Sequence, residues 1–267
     1  RNDCIPLPID KLITQGHSPY DLAALKELAK SEHLTFLVGG GYQYPLPFAV
    51  AMIPFTLLPF TAAALLFNGM SLVLFGLTVA AWIGWAHGWA PELRRRRILL
   101  ALAAGFYPPV YGTIANGQAN LVLFPLLGLG VALAMDGRTW RRRGTGGVLL
   151  GLAAIIKLVP GVLVVPLAIG RRLDAAVAIV AGALGAMVAA VLIAPQGGIG
   201  GAGLASLLDS DSYYTNQSFN GFVTRIVRDS DRTVALWRQG FDPRLPTLLL
   251  TAALGLATLA ILRSERD

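Results

Sequence analysis

Charge is scarce in this chain. Only 14% of its 267 residues are Asp, Glu, Lys or Arg, against about 25% in a soluble domain. With 55% hydrophobic residues, this is the composition of a membrane protein. Cysteine is nearly absent: Cys4 stands alone, which excludes an intrachain disulfide. Histidine is equally sparse, and His17, His33 and His87 have no ligand spacing, so no metal site and no metal cofactor is expected. The opening residues lack a charged n-region, apolar h-region and cleavage site, and the first residue is Arg1. The expectation is a fragment or processed chain that lacks an upstream membrane span. Acidic residues are outnumbered, giving a net charge of +7. Nucleic-acid binding would put that charge on a soluble face with groove-reading motifs. Here the arginines sit in short links between apolar runs, which is a topology signal, so no nucleic-acid partner is expected.

What is present is a series of apolar runs, at about 62–86, 98–115, 119–135, 145–170, 174–194 and 246–262, each long enough for a span of roughly 17–25 residues. The links "ELRRRR", "DGRTWRRRG" and "RRLD" and the tail "RSERD" are the arginine-rich places. If all four face the cytoplasm, the rest of the topology follows. About 38 uncharged residues separate Arg97 from Asp136, enough for two helices. The turn between them falls at Asn116-Gly117-Gln118-Ala119-Asn120, on the outer side. About 26 residues separate Gly144 from Arg171. A single span would carry Arg171 and Arg172 outside. Two half-helices meeting at "KLVP" keep them inside and bring Lys157 to the outer surface, and Pro160 supports the break.

"YPLPFAVAMIPFTLLPF", Tyr44 to Phe60, holds four prolines and reads as a short interfacial or re-entrant helix. Residues 1–61 and 195–245 then form outer loops, 62–194 the membrane helices and 246–263 a last membrane helix, in a single domain. The cytoplasmic links hold twelve arginines and five acids, the outer segments ten of each sign, so the whole positive excess lies on one side. The expected fold class is all-α: a polytopic integral membrane bundle with interfacial helices in its outer loops. "SPYDLAALKELAK" is expected to start at Ser18 as N-cap, with Pro19 at the first helical position and Asp21 at the capping-box position. Its Leu22, Leu25 and Leu28 share one face. "QSFNGFVTRIVRD" puts Phe219, Phe222, Val223 and Ile226 on one stripe. Both read as helices lying on the membrane surface.

Several constellations are weak. "GGIGGAG" matches G-x-G-x-x-G at Gly198, Gly200 and Gly203, but it follows an apolar helix rather than a strand and reads as a flexible loop. "NQS" at Asn216 is a glycosylation sequon whose use depends on the cell. Two features are sharper. Lys157 is the one Lys or Arg inside an apolar run, where an ionisable group costs at least about 2.5 kcal/mol and marks a pathway or a ligand. Its bland alternative is a lysine snorkelling to the headgroups; the functional one is a partner for a lipid phosphate. Asn116, Gln118 and Asn120 form a rim of donors and acceptors suited to sugar hydroxyls, or an ordinary polar turn with Gly117 at positive φ. Among the outer carboxylates, Asp3 and Asp10 precede the amphipathic segment, where a membrane boundary raises a carboxyl towards a general-base value.

The ordered set "GHSPYDL", "YQYPLPFAVAMIPFTLLP", "GQANLVLFPLLGLGVAL", "GLAAIIKLVPGVLVVPL" and "NQSFNGFVTRIV" resembles glycosyltransferase family 87 over about 16–228. The family was formerly catalogued as domain of unknown function 2029 and includes polyprenyl-phosphomannose-dependent mannosyltransferases. The resemblance implies a GT-C type membrane enzyme that takes a sugar from a polyprenyl-phosphate donor and inverts its anomeric carbon. In such enzymes the base is an aspartate some dozen residues before the Gly of a Gly-x-x-Pro-Tyr motif, which points to Asp3; Asp10 is the alternative.

The resulting expectation is a hexose or pentose transfer, mannose-like, to a lipid or glycan acceptor at the outer face of the plasma membrane. The donor phosphate would lie near Lys157 and Arg225. Asn116, Gln118, Asn120, Asn216 and Gln217 would hold hydroxyls, and Tyr42 and Tyr44 would stack on a sugar. A lipid-phosphate donor brings its own leaving group, so no cofactor is required. The competing readings are a transporter or flippase of lipid-linked substrates, and a non-catalytic scaffold.

Overall fold

A computed structural model of the chain describes residues 9–31, 42, 44–86, 97–115, 117–135, 138–198, 219–229, 234–236, 242 and 244–264. Among them every regular element is a helix. The chain divides into two units, Arg1–Gly203 and Leu204–Asp267.

In the first unit, α1 (Ile9–Thr14) and α2 (Leu22–Ser31) precede α3 (Leu46–Met52), which passes directly into a 3-10 helix, Ile53–Leu57. Then come α4 (Phe60–Ala86), α5 (Arg97–Gly105), α6 (Pro108–Ala115), α7 (Asn120–Met135) and α8 (Trp140–Ile156). A second 3-10 helix, Val159–Leu163, leads into α9 (Val164–Ile169), and α10 (Leu173–Ile193) ends in a short 3-10 turn, Pro195–Gly197.

The ends of these helices follow from local chemistry. Asp21 caps α2: its carboxylate accepts from the N–H groups of Ala23 (2.9 Å) and Ala24 (3.1 Å). This corrects the expectation of Ser18 as the cap. Ser18 instead closes the preceding turn, its hydroxyl accepting from Tyr20 N–H at 3.3 Å. A carboxylate serves two helix donors better than a hydroxyl, and Pro19 lies in the turn before the helix. Thr139 caps α8 by accepting from Arg142 N–H at 3.3 Å. The run 98–115, expected as one span, is two short helices broken at Phe106–Tyr107, because Pro108 and Pro109 bring no N–H to continue the ladder. The run 145–170 breaks where expected. Lys157 leaves α8 in extended backbone (φ −140°, ψ 133°), and Pro160 sits in the 3-10 helix that follows. The first limb is longer than expected, beginning at Trp140 with three arginines in its opening turn.

The core of this unit is α8 between α7 and α10. Glycines on α8 set the spacing. A Cβ at Gly146 would meet the backbone of Ala134 and Gly130 on α7; one at Gly147 or Gly151 would meet the Ala175 or Ile179 carbonyl on α10. These pairings make α7 antiparallel to α8 and α10 parallel to it. α4 runs alongside α7, with Phe75 on Phe124 (centroids 5.3 Å apart) and Trp82 beside Gly128. The Arg143 guanidinium pairs with Asp174 at 2.7 Å, and Arg172 donates to the Ala134 carbonyl at 3.0 Å. The α7–α8 link, the start of α8 and the start of α10 therefore meet at one end, the arginine end. After α8 the chain returns to that end through α9, as the broken hairpin requires.

Two helices, Phe60–Ile83 within α4 and Leu173–Ile193, are long and apolar enough to cross a membrane. Leu65, Val73 and Leu77 on the first and Leu184, Val188 and Leu192 on the second are exposed. Aliphatic faces of that size are stable against lipid and unfavourable in water. Among the described residues no other helix passes as a span by length and composition, so six full spans are not seen there. α2 also departs from expectation. Leu25 and Leu28 are buried in the protein core, where a surface-lying helix would offer them to lipid. α3 is covered by protein, with Leu46, Phe48, Ala49 and Met52 all buried.

The second unit holds α11 (Phe219–Val227) packed on α12 (Arg244–Ser264). On α11 Thr224 is fully buried and Phe222 is exposed.

Candidate functional site

Opposite the arginine end, one buried cluster joins seven elements. It contains Leu12 and Ile13 of α1, Leu25 and Leu28 of α2, Leu46, Phe48 and Met52 of α3, Phe67 of α4, Ala153 and Ile156 of α8, and Ala190 of α10. Tyr42, Tyr44, Ala119, Leu123 and Ala194 complete it. The polar turn between α6 and α7 is built onto this cluster, and the segment 117–120 with Lys157 lies at its edge.

The turn is closed by backbone bonds. Gly117 N–H donates to the Ile114 carbonyl (3.1 Å) and Gln118 N–H to the Thr113 carbonyl (2.9 Å). Gly117 takes φ 60°, a left-handed value that a side chain disfavours. The Asn120 amide then donates twice, to Gln118 Oε1 at 2.7 Å and to Thr113 Oγ1 at 3.2 Å. Both its N–H groups are engaged within the protein. Among the described residues, the Gln118 amide nitrogen and the Asn120 carbonyl oxygen keep hydrogen-bonding capacity for a ligand. Asn116 lies outside the described residues.

A tyrosine stack supports the turn from below. Tyr44 Oη accepts from Ala119 N–H at 3.2 Å, across 75 positions of sequence. Tyr20 Oη donates to the Tyr44 carbonyl at 3.1 Å. The rings of Tyr20 and Tyr42 lie 5.7 Å apart, those of Tyr42 and Tyr44 5.8 Å, and Tyr44 rests on Phe48 at 4.9 Å. Tyr42 and Tyr44 are 3% and 5% exposed, so their faces meet other rings and leave no platform for a sugar. Burial pushes the Tyr20 phenol up to about 12.

Lys157 caps α8, its N–H on the Ala153 carbonyl at 3.0 Å, directly after the buried Ile156. It therefore shares one end of the bundle with Gln118 and Asn120. Asp10 lies on α1, whose Leu12 and Ile13 enter the same cluster; nothing further is described of its side chain. Gln196, just after α10, donates to the Ile13 carbonyl at 3.0 Å and holds α1 in place. Arg225 belongs to α11 of the second unit. Asp3, Asn216 and Gln217 lie outside the described residues.

Sequence reasoning missed Tyr20, Thr113 and Gln196. Thr113 left one trace: a hydroxyl inside an apolar run, seven positions before Asn120. Tyr20 showed only as the Tyr of the Gly-x-x-Pro-Tyr motif, and Gln196 left none, since their partners are distant carbonyls. Among the described residues no three His, Cys, Asp or Glu side chains come together.

The sequence profile described as Glycosyltransferase family 87 matches residues 42–267. That span takes in Tyr42 and Tyr44 of the stack, the amide turn, Lys157 and the whole second unit, and leaves out Tyr20 with α1 and α2. No curated protein and no solved structure matches the chain. The chain belongs to glycosyltransferase family 87, and its activity is accordingly glycosyl transfer.

Proposed function

We propose that this protein is a multi-pass membrane glycosyltransferase of GT-C type. It moves a hexose or pentose, mannose-like, from a polyprenyl-phosphate donor to a lipid or glycan acceptor on the extracytoplasmic face of the plasma membrane. The observation that carries this reading is the segregation of polar groups along the bundle. The amide turn and Lys157 share one end, and the Arg143–Asp174 pair with Arg172 marks the other. Guanidinium groups collect on the cytoplasmic side of membrane proteins, which supports an outer position for the amides and the ammonium.

In this reading the donor's polyprenyl chain lies along the exposed aliphatic faces of the helices. Its phosphate stops at the end that holds the amide turn, within reach of the Lys157 ammonium. Asp3 or Asp10 takes the proton of the acceptor hydroxyl as that oxygen attacks the anomeric carbon. The new C–O bond forms on the face opposite the breaking bond to phosphate oxygen, so configuration inverts. Polyprenyl phosphate leaves with the bonding electrons, and the lysine stabilises its developing charge. Gln118 holds a sugar hydroxyl, and Asn120 fixes the rotamer of Gln118 from behind. Asn116 is a further ligand for sugar hydroxyls. Tyr42 and Tyr44 support the turn from within the core.

The test is transfer of radiolabelled sugar from a polyprenyl-phosphate donor in membranes holding the full chain. Product should form, and Lys157→Met should lower the rate about 100- to 1,000-fold, as expected for loss of a group that stabilises developing charge. Wild-type membranes that leave every polyprenyl-phosphate sugar untouched while accepting a nucleotide sugar would remove the donor assignment.

A further inference from the structure

We propose that the arginine end carries a binding site for anionic phospholipid headgroups, formed by Arg171 and Arg141 beside Trp140. The proposal rests on the membrane-embedded reading given above.

The first observation is the backbone of Arg171. α9 ends in a Schellman turn: Arg172 N–H reaches the Leu167 carbonyl at 2.9 Å and Arg171 N–H the Ala168 carbonyl at 3.0 Å. The residue between Gly170 and Arg172 must be left-handed, and glycine is the usual choice. Here it is Arg171 at φ 57°, the one non-glycine with positive φ among the described residues. A side chain is penalised there, which points to a use for the guanidinium.

The second observation is how the neighbouring charges are engaged. Arg143 and Asp174 pair, and Arg172 binds the Ala134 carbonyl, so these groups hold α7, α8 and α10 together. Arg171 is exposed and takes no part in that clip. Asp174 is the one acid described at this end, and it is already matched. Positive charge is therefore left in excess at the surface.

The third observation identifies the ligand as a lipid. The Arg141 guanidinium stands 5.6 Å from the centroid of the Trp140 ring. Trp140 is 66% exposed, and Val148, Leu173 and Val177, further along the same helices, are also exposed. Aliphatic, indole and guanidinium groups thus follow one another in the order of acyl chain, glycerol and phosphate in a leaflet. A soluble phosphate would have no need of the apolar border.

The experiment uses the full chain in detergent and counts retained lipids by native mass spectrometry. It is titrated with phosphatidylglycerol, with phosphatidylcholine of the same acyl chains, and with glycerol phosphate as the soluble arm. The wild type should retain phosphatidylglycerol preferentially, and each arginine removed, in Arg141→Gln or Arg171→Gly, should lower that preference about fivefold. Arg171→Gly suits the left-handed position, so an unfolded variant is not the explanation for a loss, and Arg171→Lys should restore the preference. Equal retention of the two lipids by the wild type, unchanged preference in both variants, or competition by glycerol phosphate overturns the proposal. Incorporation into phosphatidylcholine vesicles is measured in parallel. Incorporation without a headgroup preference sinks this site alone, whereas failure to incorporate sinks the membrane reading as well.

Discussion

Asn120 is the residue on which the candidate site turns, and its role is support. Replacing it by Ala leaves the Gln118 carbonyl and the Thr113 hydroxyl without their shared donor, at a cost of about 1–3 kcal/mol for buried polar groups that lose a partner. Asn120→Asp keeps the shape and loses both N–H donors. Both variants are expected to raise the KM for sugar donor more than they lower kcat, since the geometry of Gln118 loosens while the reacting groups stay. Urea titration and steady-state kinetics check the two halves of this expectation.

Tyr20 makes a pH-dependent contribution. Its phenol is raised from 10.0 to about 12 by burial, so the folded state favours the neutral ring. For a group raised on folding, the stabilisation is complete below pH 10 and is lost as pH rises towards 12. Tyrosinate absorbance should show one phenol titrating late, and Tyr20→Phe should abolish that step and flatten the alkaline fall in Tm. A fall of the same steepness in the phenylalanine variant would assign it to another group. The partner of Tyr20 is not written in its neighbours. Tyr20 reaches a carbonyl 24 positions away, so nothing in "GHSPYDL" announces the bond.

At the scale of elements, the close contact of α8 with α10 rests on two small side chains. A methyl added at Gly147 or Gly151 meets a backbone carbonyl of α10, which cannot swing aside as a side chain does. Gly147→Ala and Gly151→Ala should each destabilise by about 1–3 kcal/mol through overpacking. Gly185→Ala, on α10 with nothing within 4 Å of its added carbon, should be neutral or stabilising by up to about 1 kcal/mol. Thermal unfolding in one detergent compares all three. The element pattern was largely legible in the apolar runs. The break at Lys157 follows from Pro160, and the break at Phe106–Tyr107 was available in "YPP" but was overridden by the length of the run. The covering of α2 was not legible. Leu25 and Leu28 at helical spacing show that a face is buried, and periodicity is the same whether protein or lipid covers it.

For the whole molecule, the testable statement is sidedness. Cys4 is the chain's one cysteine, so a Cys4→Ser background accepts single reporters cleanly. Gln15→Cys, exposed on the turn after α1, is expected to react with an impermeant maleimide in intact cells. Arg138→Cys, exposed at the arginine end, is expected to react only after permeabilisation. Labelling of both from one side would overturn the assigned topology.

The amino-acid sequence by itself determined that the chain is helical and apolar, that arginine marks the links, and that polar residues gather at the opposite ends of the runs. These are local properties, set by side-chain type, period and the missing N–H of proline. Only the tertiary structure decided what those polar groups do. Tyr44 meets Ala119, Arg143 meets Asp174, and Asn120 turns its donors inward to Gln118 and Thr113. Such pairings depend on which helix faces pack together, and an amide or phenol forms the same hydrogen bond with any partner that packing brings within reach.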